Sequence, residues 1–354
     1  MMKPTSLRFT VCTIIKNEEK NLPEFLRSLQ TAFSRYAASY SLASGASLTS
    51  PVYRRSSQNS PQTPPYPALP PLVIVDTGST DGSLSVLESR GVSPARFSWR
   101  DDFAAAKNYA VSLAKTDWIL FLDADEFLEE ADIAALETFI TEEEAKLGGS
   151  ANAPKKAAIS GDLAGTFAAQ PPAVGQILIA SETEGGVREE YLRRFFHRGF
   201  YRYEGKIHEQ LVLLPHTSGA HVVRLPVRVR HVGYRVEIIK EKAKRDKRLL
   251  LSALKETEAL KETEALEETE KKAYLQYQLG MCHMRLKEYA EAQEVFSQAL
   301  SAGSASHSPL STWQRDLIDA YGYCLLDQKL YREALSLQSY YDLACDRADY
   351  LFVL

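Results

Sequence analysis

Apolar runs and helical stripes alternate through the first 140 or so residues. Phe9–Ile15 (FTVCTII) is apolar and β-branched, which predicts an interior parallel strand. Asn21 and Pro23 mark a helix start, and Leu22, Phe25, Leu26 and Leu29 trace its apolar face. Leu72–Val75 predicts a second strand that runs into the small, polar turn Asp76-Thr-Gly-Ser-Thr-Asp81-Gly, with a short helix around Leu84–Leu87. A third strand near Arg96–Trp99 and a helix over Phe103–Ala114 follow. A fourth strand, Trp118–Leu122, ends in Asp-Ala-Asp-Glu. Strands alternating with helices predict an α/β fold with a mostly parallel central sheet. In such sheets ligands bind at the carboxyl ends of the strands, where both acidic turns fall.

Two stretches break the pattern. Tyr36 to Pro71 holds eight Ser, seven Pro, no Asp or Glu and only Arg54 and Arg55 as charges, and reads as a disordered insertion over about 36–71. Gly148 to Ala173, rich in Ala, Gly and Pro, reads as a low-complexity loop. Beyond it, Gln176–Glu182, Tyr191–Phe196 and Val222–His231 are expected as antiparallel additions, the last with Val227 and Val229 alternating against Arg228 and Arg230.

From about residue 237 the periodicity is helical. KETEAL occurs twice within Lys255–Leu266, an exposed charged helix. Gly280 and Gly322, and likewise Ala292 and Ala334, are 42 residues apart. Together with Phe296 and Ala299 they fit a tetratricopeptide-like helix pair, a repeat of usually about 34 residues, with the polar Ala302–Ser308 absorbing the excess. Two pairs are few for a free-standing solenoid, so packing on the first domain or a partner is expected. The domains are therefore expected at 1–236 and 237–354.

Composition narrows the function class. A net charge of -4 over 354 residues argues against nucleic acid as the main partner. Cys12, Cys282, Cys324 and Cys345 form no CxxC pair, which points to a reducing, cytoplasmic setting. The apolar N-terminal run is short and followed by KNEEKN, so it reads as a strand and not a signal peptide.

Candidate chemistry gathers at a few positions. Asp123 and Asp125, at the end of a buried strand, can share a hard divalent cation (Mn or Mg) that would neutralise a diphosphate. Asp76 suits hydrogen bonds from a base or ribose, and Gly78, Ser79 and Asp81 beside it read equally well as turn and cap residues. Lys107 could meet a nucleotide phosphate or snorkel to the surface. Glu209 and Glu204, in YEGKIHEQ, are both candidates for the base that takes an acceptor proton. HExxH is absent, since position 212 is Val. His231 is either structural or a metal ligand.

VCTIIKNEEKNLPEFLRSL, VIVDTGSTDGS, DDFAAAKNYA and DWILFLDADE resemble, in order and spacing, family 2 glycosyltransferases. RRFFHRG, YEGKIHEQ and RHVGY followed by tetratricopeptide-like helices resemble a bacterial subgroup of that family. The resemblance implies a nucleotide-diphospho-sugar transferase fold, a divalent metal and inversion at the anomeric carbon. By position it implies that Asp76 contacts the nucleoside and Lys107 the nucleotide. Asp123 with Asp125 would hold ribose and metal, Glu209 would be the base, and His231 a late metal ligand. Lys107 stands where the family often has Arg. The QxxRW motif of processive synthases is missing, so one sugar is expected per encounter. A UDP-sugar donor and a glycan, lipid or protein acceptor are the expected partners. Two competing readings are a nucleotidyltransferase and a scaffold whose tail is the working part.

Overall fold

The structure is a computed structural model describing residues 7–44, 70–148, 170–183, 185–215, 217, 219–232, 236–259, 266–303, 311–340, 344 and 346–354. The chain divides into two compact units, 1–234 and 235–354.

Unit 1 is built on an eight-stranded sheet in the order β3-β2-β1-β4-β7-β6-β10-β5. Its strands are β1 (Phe9–Ile15), β2 (Leu72–Asp76), β3 (Ala95–Arg96), β4 (Trp118–Phe121), β5 (Glu126–Ala131), β6 (Val174–Thr183), β7 (Gly186–His197) and β10 (Val222–His231). β8 (Tyr201–Glu204) and β9 (Gln210–Leu213) form a separate antiparallel ribbon. β3, β2, β1 and β4 run parallel, and the apolar β1, β4 and residues 73–75 of β2 suit strands covered on both faces. The chain steps from β1 outward to β2 and β3, then returns to β4 on the other side. That reversal is a topological switch point, and sheets of this kind bind ligands beyond the carboxyl ends of the strands there.

Side-chain alternation sends Phe9, Val11 and Ile15 of β1, and Trp118 and Leu120 of β4, to one face. There they meet α1 (Leu22–Ser44), α2 (Ser83–Ser89) and α4 (Ile133–Gly148). Cys12, Ile119 and Phe121 turn to the other face, against the alanine side of α3 (Phe103–Leu113) and the β8–β9 ribbon. Each large side chain fully buried here contributes about 1.5–3 kcal/mol.

Several expectations change. The helix expected to end before residue 36 runs on to Ser44, and Tyr36 packs on the core, so 36–44 are not part of a disordered insertion. Composition misleads there, because Ser39 bonds back to the carbonyls of Arg35 and Tyr36 and no proline intervenes before Pro51. The rest of that insertion, 45–69, and 149–169 of the expected loop lie outside the described residues. β10 is antiparallel only to β5 and is parallel to β6. β5 and α4 were not expected from sequence. Asp132 accepts the amide of Ala135 at 2.9 Å, and Ile133, Leu136, Phe139 and Ile140 supply a buried helical stripe.

Unit 2 contains α5 (Val236–Ala259), α6 (Leu266–Leu286), α7 (Tyr289–Gly303), α8 (Thr312–Asp327), α9 (Tyr331–Leu335), a 3-10 turn at Ser336–Tyr340 and α10 (Ala348–Val353). α6 and α7 form the expected pair. A Cβ at Gly280 would lie 2.3 Å from the Phe296 ring, so only glycine lets the helices close there. The second pair departs from the first. The position 42 residues beyond Phe296 is Gln338, in the 3-10 turn, and Val353 of α10 fills the place beside Gly322. Half of the KETEAL region, 260–265, lies outside the described residues. Gly280→Ala is expected to cost about 1–3 kcal/mol through overpacking, read as a lower denaturant midpoint. An unchanged midpoint would show that Phe296 moves aside freely.

Candidate active site

The carboxyl ends of β2 and β4 collect the chemistry. Asp76 closes β2 and is nearly buried. Its Oδ1 accepts from the Ser79 amide at 3.0 Å and its Oδ2 from the Gly78 amide at 3.3 Å. Gly78 sits at φ +105, which a side-chain-bearing residue would resist. The turn is stitched to the residues after β1: Asn17 takes the Thr80 amide at 2.7 Å, and Asp81 takes the Glu19 amide at 3.1 Å. Asp81 also accepts from the Ser83 amide and hydroxyl, so it shapes the turn and the start of α2.

α3 starts at Asp102, whose side chain caps the Ala105 amide at 2.8 Å. Small Ala104, Ala106 and Ala110 let the helix lie close to the sheet. That places Lys107 in the interior, only 4% exposed, rather than at the surface. Its Nζ lies 2.6 Å from Glu209 Oε1 and 3.2 Å from Asp123 Oδ1, over the rings of Phe121 and Tyr203. Burial alone would lower the Lys107 pKa, but Asp123 and Glu209 outweigh it and hold the ammonium charged. Asn108 fastens the same helix to β8, its amide exchanging two hydrogen bonds with the Tyr203 backbone at 2.8 and 2.9 Å.

Asp123, just past β4, has its other oxygen 2.9 Å from Arg194 Nη2, and its amide donates to Glu126 Oε2 at 2.9 Å. Arg194 also reaches Glu126 Oε1 at 2.6 Å. Despite burial, Lys107 and Arg194 pull the Asp123 carboxyl well below the usual carboxylate range. Burial pushes Glu126 up to about 7 against the pull of Arg194. The stretch from Arg193-Arg194 to Gln210 stood out from sequence as a dense site, but neither Arg194 nor Glu126 was given a role. β4 and β7 run antiparallel with Leu120 opposite Phe195, which delivers Arg194 to the end of β4. Among the described residues, Arg194 Nε and Tyr203 Oη are buried without a hydrogen-bond partner.

Asp125 faces elsewhere. Its Oδ2 lies 3.4 Å from His231 Nε2, while His231 Nδ1 is 3.1 Å from Ser181 Oγ. The register accounts for this: His231 is paired with Glu126 on one side and Ser181 on the other. The two aspartates expected to share a cation thus point to different partners. Among the described residues no three His, Cys, Asp or Glu side chains form a metal-holding group. Glu209 joins the cluster through a loop with Gly205 at φ +102 and His208 at φ 50. Glu204 does not: half exposed, it pairs with Arg202 at 2.9 Å.

No helix among the described residues is long and apolar enough to cross a membrane. Comparison with known proteins gives four findings. A TPR repeat-containing protein of Synechococcus elongatus is 46% identical over 57 residues, 16% of this chain, so the match spans only 14% of that curated relative. The crystal structure of S. aureus TarS aligns with a TM-score of 0.38 and 12% identity over 95% of this chain and 55% of that one. The structure of TarS 1-349 in complex with UDP-GlcNAc aligns at 0.39 and 12% over 98% and 90%. Residues 69–151 match the model for glycosyl transferase family 2, a segment that contains Asp76, Lys107, Asp123 and Asp125. The first unit therefore carries a segment that matches glycosyl transferase family 2, and the second unit is a tetratricopeptide-like helical tail.

Proposed function

We propose that unit 1 transfers one sugar from a nucleoside diphosphate sugar, expected to be a UDP-sugar, to a glycan, lipid or protein acceptor with inversion. The observation that carries this is Lys107, which links a donor-side carboxylate, Asp123, to an acceptor-side one, Glu209, just past the carboxyl end of β4 at the switch point of the sheet. Asp76 and Asp123 are assigned to the nucleoside. Glu209 takes the proton of the attacking acceptor hydroxyl as its oxygen bonds the anomeric carbon. The bond from that carbon to the phosphate oxygen breaks, and the electron pair leaves with the diphosphate.

A divalent cation fits Asp125 and His231, a carboxylate oxygen and an imidazole nitrogen already facing each other. Ser181, at Nδ1, is placed to orient the ring, as second partners of metal-bound histidines do. Asp123 fits less well, since each of its oxygens already faces a cationic side chain. Such a metal would offset the charge of the leaving diphosphate.

Calorimetric titration with UDP and GDP, each with and without manganese, tests the reading. Metal-dependent binding of one nucleotide is expected. Asp125→Ala should remove most of the metal dependence and lose roughly 10–100-fold in affinity. Full metal-dependent binding in that variant would remove Asp125 from the metal site. Binding of neither nucleotide by the unaltered chain would defeat the donor assignment.

A further inference from the structure

Asp123 is held at three points yet remains open to a ligand. Oδ1 faces Lys107 at 3.2 Å, Oδ2 takes Arg194 Nη2 at 2.9 Å, and the backbone amide donates to Glu126 Oε2 at 2.9 Å. Even so, its side chain is 36% exposed. Arg194 and Glu126 are the buried half of this arrangement, with side chains 10% and 4% exposed. A single nitrogen of Arg194 serves both carboxylates, so the guanidinium closes a ring: Asp123 amide, Glu126 carboxylate, Arg194, Asp123 carboxylate.

We propose that Arg194 is a positioning residue for the donor site, fixing the carboxylate of Asp123 in the orientation that meets the nucleotide. It touches no substrate itself. The inference rests on the nucleoside diphosphate reading above. Burying a guanidinium and a carboxylate together is costly, and a well-packed apolar pair would often do as well for stability alone. The ring therefore makes sense as a device for geometry. Lysine at 194 would keep the charge, but its flexible stem does not fix one nitrogen between the two carboxylates as the rigid guanidinium plane fixes Nη2. Glu126 acts in series, because its carboxylate holds both the Asp123 amide and Arg194.

The test is nucleotide titration with manganese on Arg194→Lys in two backgrounds, the unaltered chain and Asp123→Asn, with thermal midpoints recorded alongside. Arg194→Lys should weaken UDP or GDP binding about tenfold in the unaltered chain and less than about twofold in Asp123→Asn, since its effect passes through Asp123. Glu126→Gln keeps an acceptor for the Asp123 amide, and should show a smaller loss with the same dependence on Asp123. It serves as the readout if Arg194→Lys does not fold. Equal losses in both backgrounds, or a lower midpoint with unchanged affinity, would assign Arg194 a structural role only and overturn the proposal. A chain that binds neither nucleotide before any substitution would remove the donor reading and this inference with it. Unchanged affinity in the variants of a chain that does bind would remove the inference alone.

Discussion

Glu209→Gln is expected to bind nucleoside diphosphate as the unaltered chain does and to lose roughly 10²–10⁴-fold in transfer rate. The amide keeps the size of the side chain and an oxygen that Lys107 can still bond, so the loop from Gly205 to Glu209 has no steric reason to move. What it loses is the ability to take a proton. The loss should therefore fall on kcat, with the donor KM little changed, the pattern of a group needed only as the acceptor attacks. Glu204→Gln is the control. Its carboxylate pairs with Arg202, half exposed, so transfer should stay within about twofold of the unaltered rate, the usual scale for a surface ion pair. Steady-state kinetics and a binding isotherm on the two variants decide between them. Should Glu204→Gln lose transfer while Glu209→Gln keeps it, the base would be Glu204 and the Lys107 bridge would have another purpose.

The strands that carry the site were the most legible part of the chain. β1, β2 and β4 are buried on both faces, so their unbroken apolar sequence betrays them without help from partners. The acidic turns at their ends follow directly. The partners within the site were hidden, because they come together across distant elements. Lys107 on α3 meets Asp123 after β4 and Glu209 in the ribbon loop, and no local spacing encodes that meeting. Arg193 and Arg194 stand side by side in a strand, and only pairing with β4 shows which of them turns inward. Simple strand alternation does not settle it, because the register with β6 passes from Phe195 directly to Arg193 and leaves Arg194 as the extra residue of a β-bulge. Glu126 was given no role from sequence, yet it is nine-tenths or more buried because it opens β5, a strand whose apolar part is only two residues long. The Ser-rich start of the expected insertion shows the opposite error, where composition outweighed the absence of a helix breaker between 36 and 44.

Lys107→Met should destabilise unit 1 by about 3 kcal/mol at neutral pH and abolish most transfer. The figure is the low end of the cost of removing one partner from a buried ion pair, taken because Asp123 is about one-third exposed and partly screened. Methionine preserves the packing over Phe121 and Tyr203, so the loss isolates the charge. Without the ammonium, Asp123 keeps Arg194, but Glu209 has no cation in its place within the bridge. The pH dependence gives the sharper test. Asp123 titrates lower in the folded chain than its unfolded value of about 3.9, so its share of the pair is present above that pH and is lost as the solution becomes more acidic. Lys107 titrates higher than its unfolded value of about 10.4, so its share is complete below that pH and is lost only as the pH rises through the folded value. The gap in stability between the unaltered chain and Lys107→Met should therefore be flat from about pH 5 to 9 and shrink as the pH falls below about 4. Urea unfolding at pH 7 and near pH 2 compares that plateau with the acid side, where the contribution is being lost. A gap that stayed constant or widened in acid would mean that Lys107 acts through its packing, and that the bridge between the two carboxylates contributes nothing to the fold.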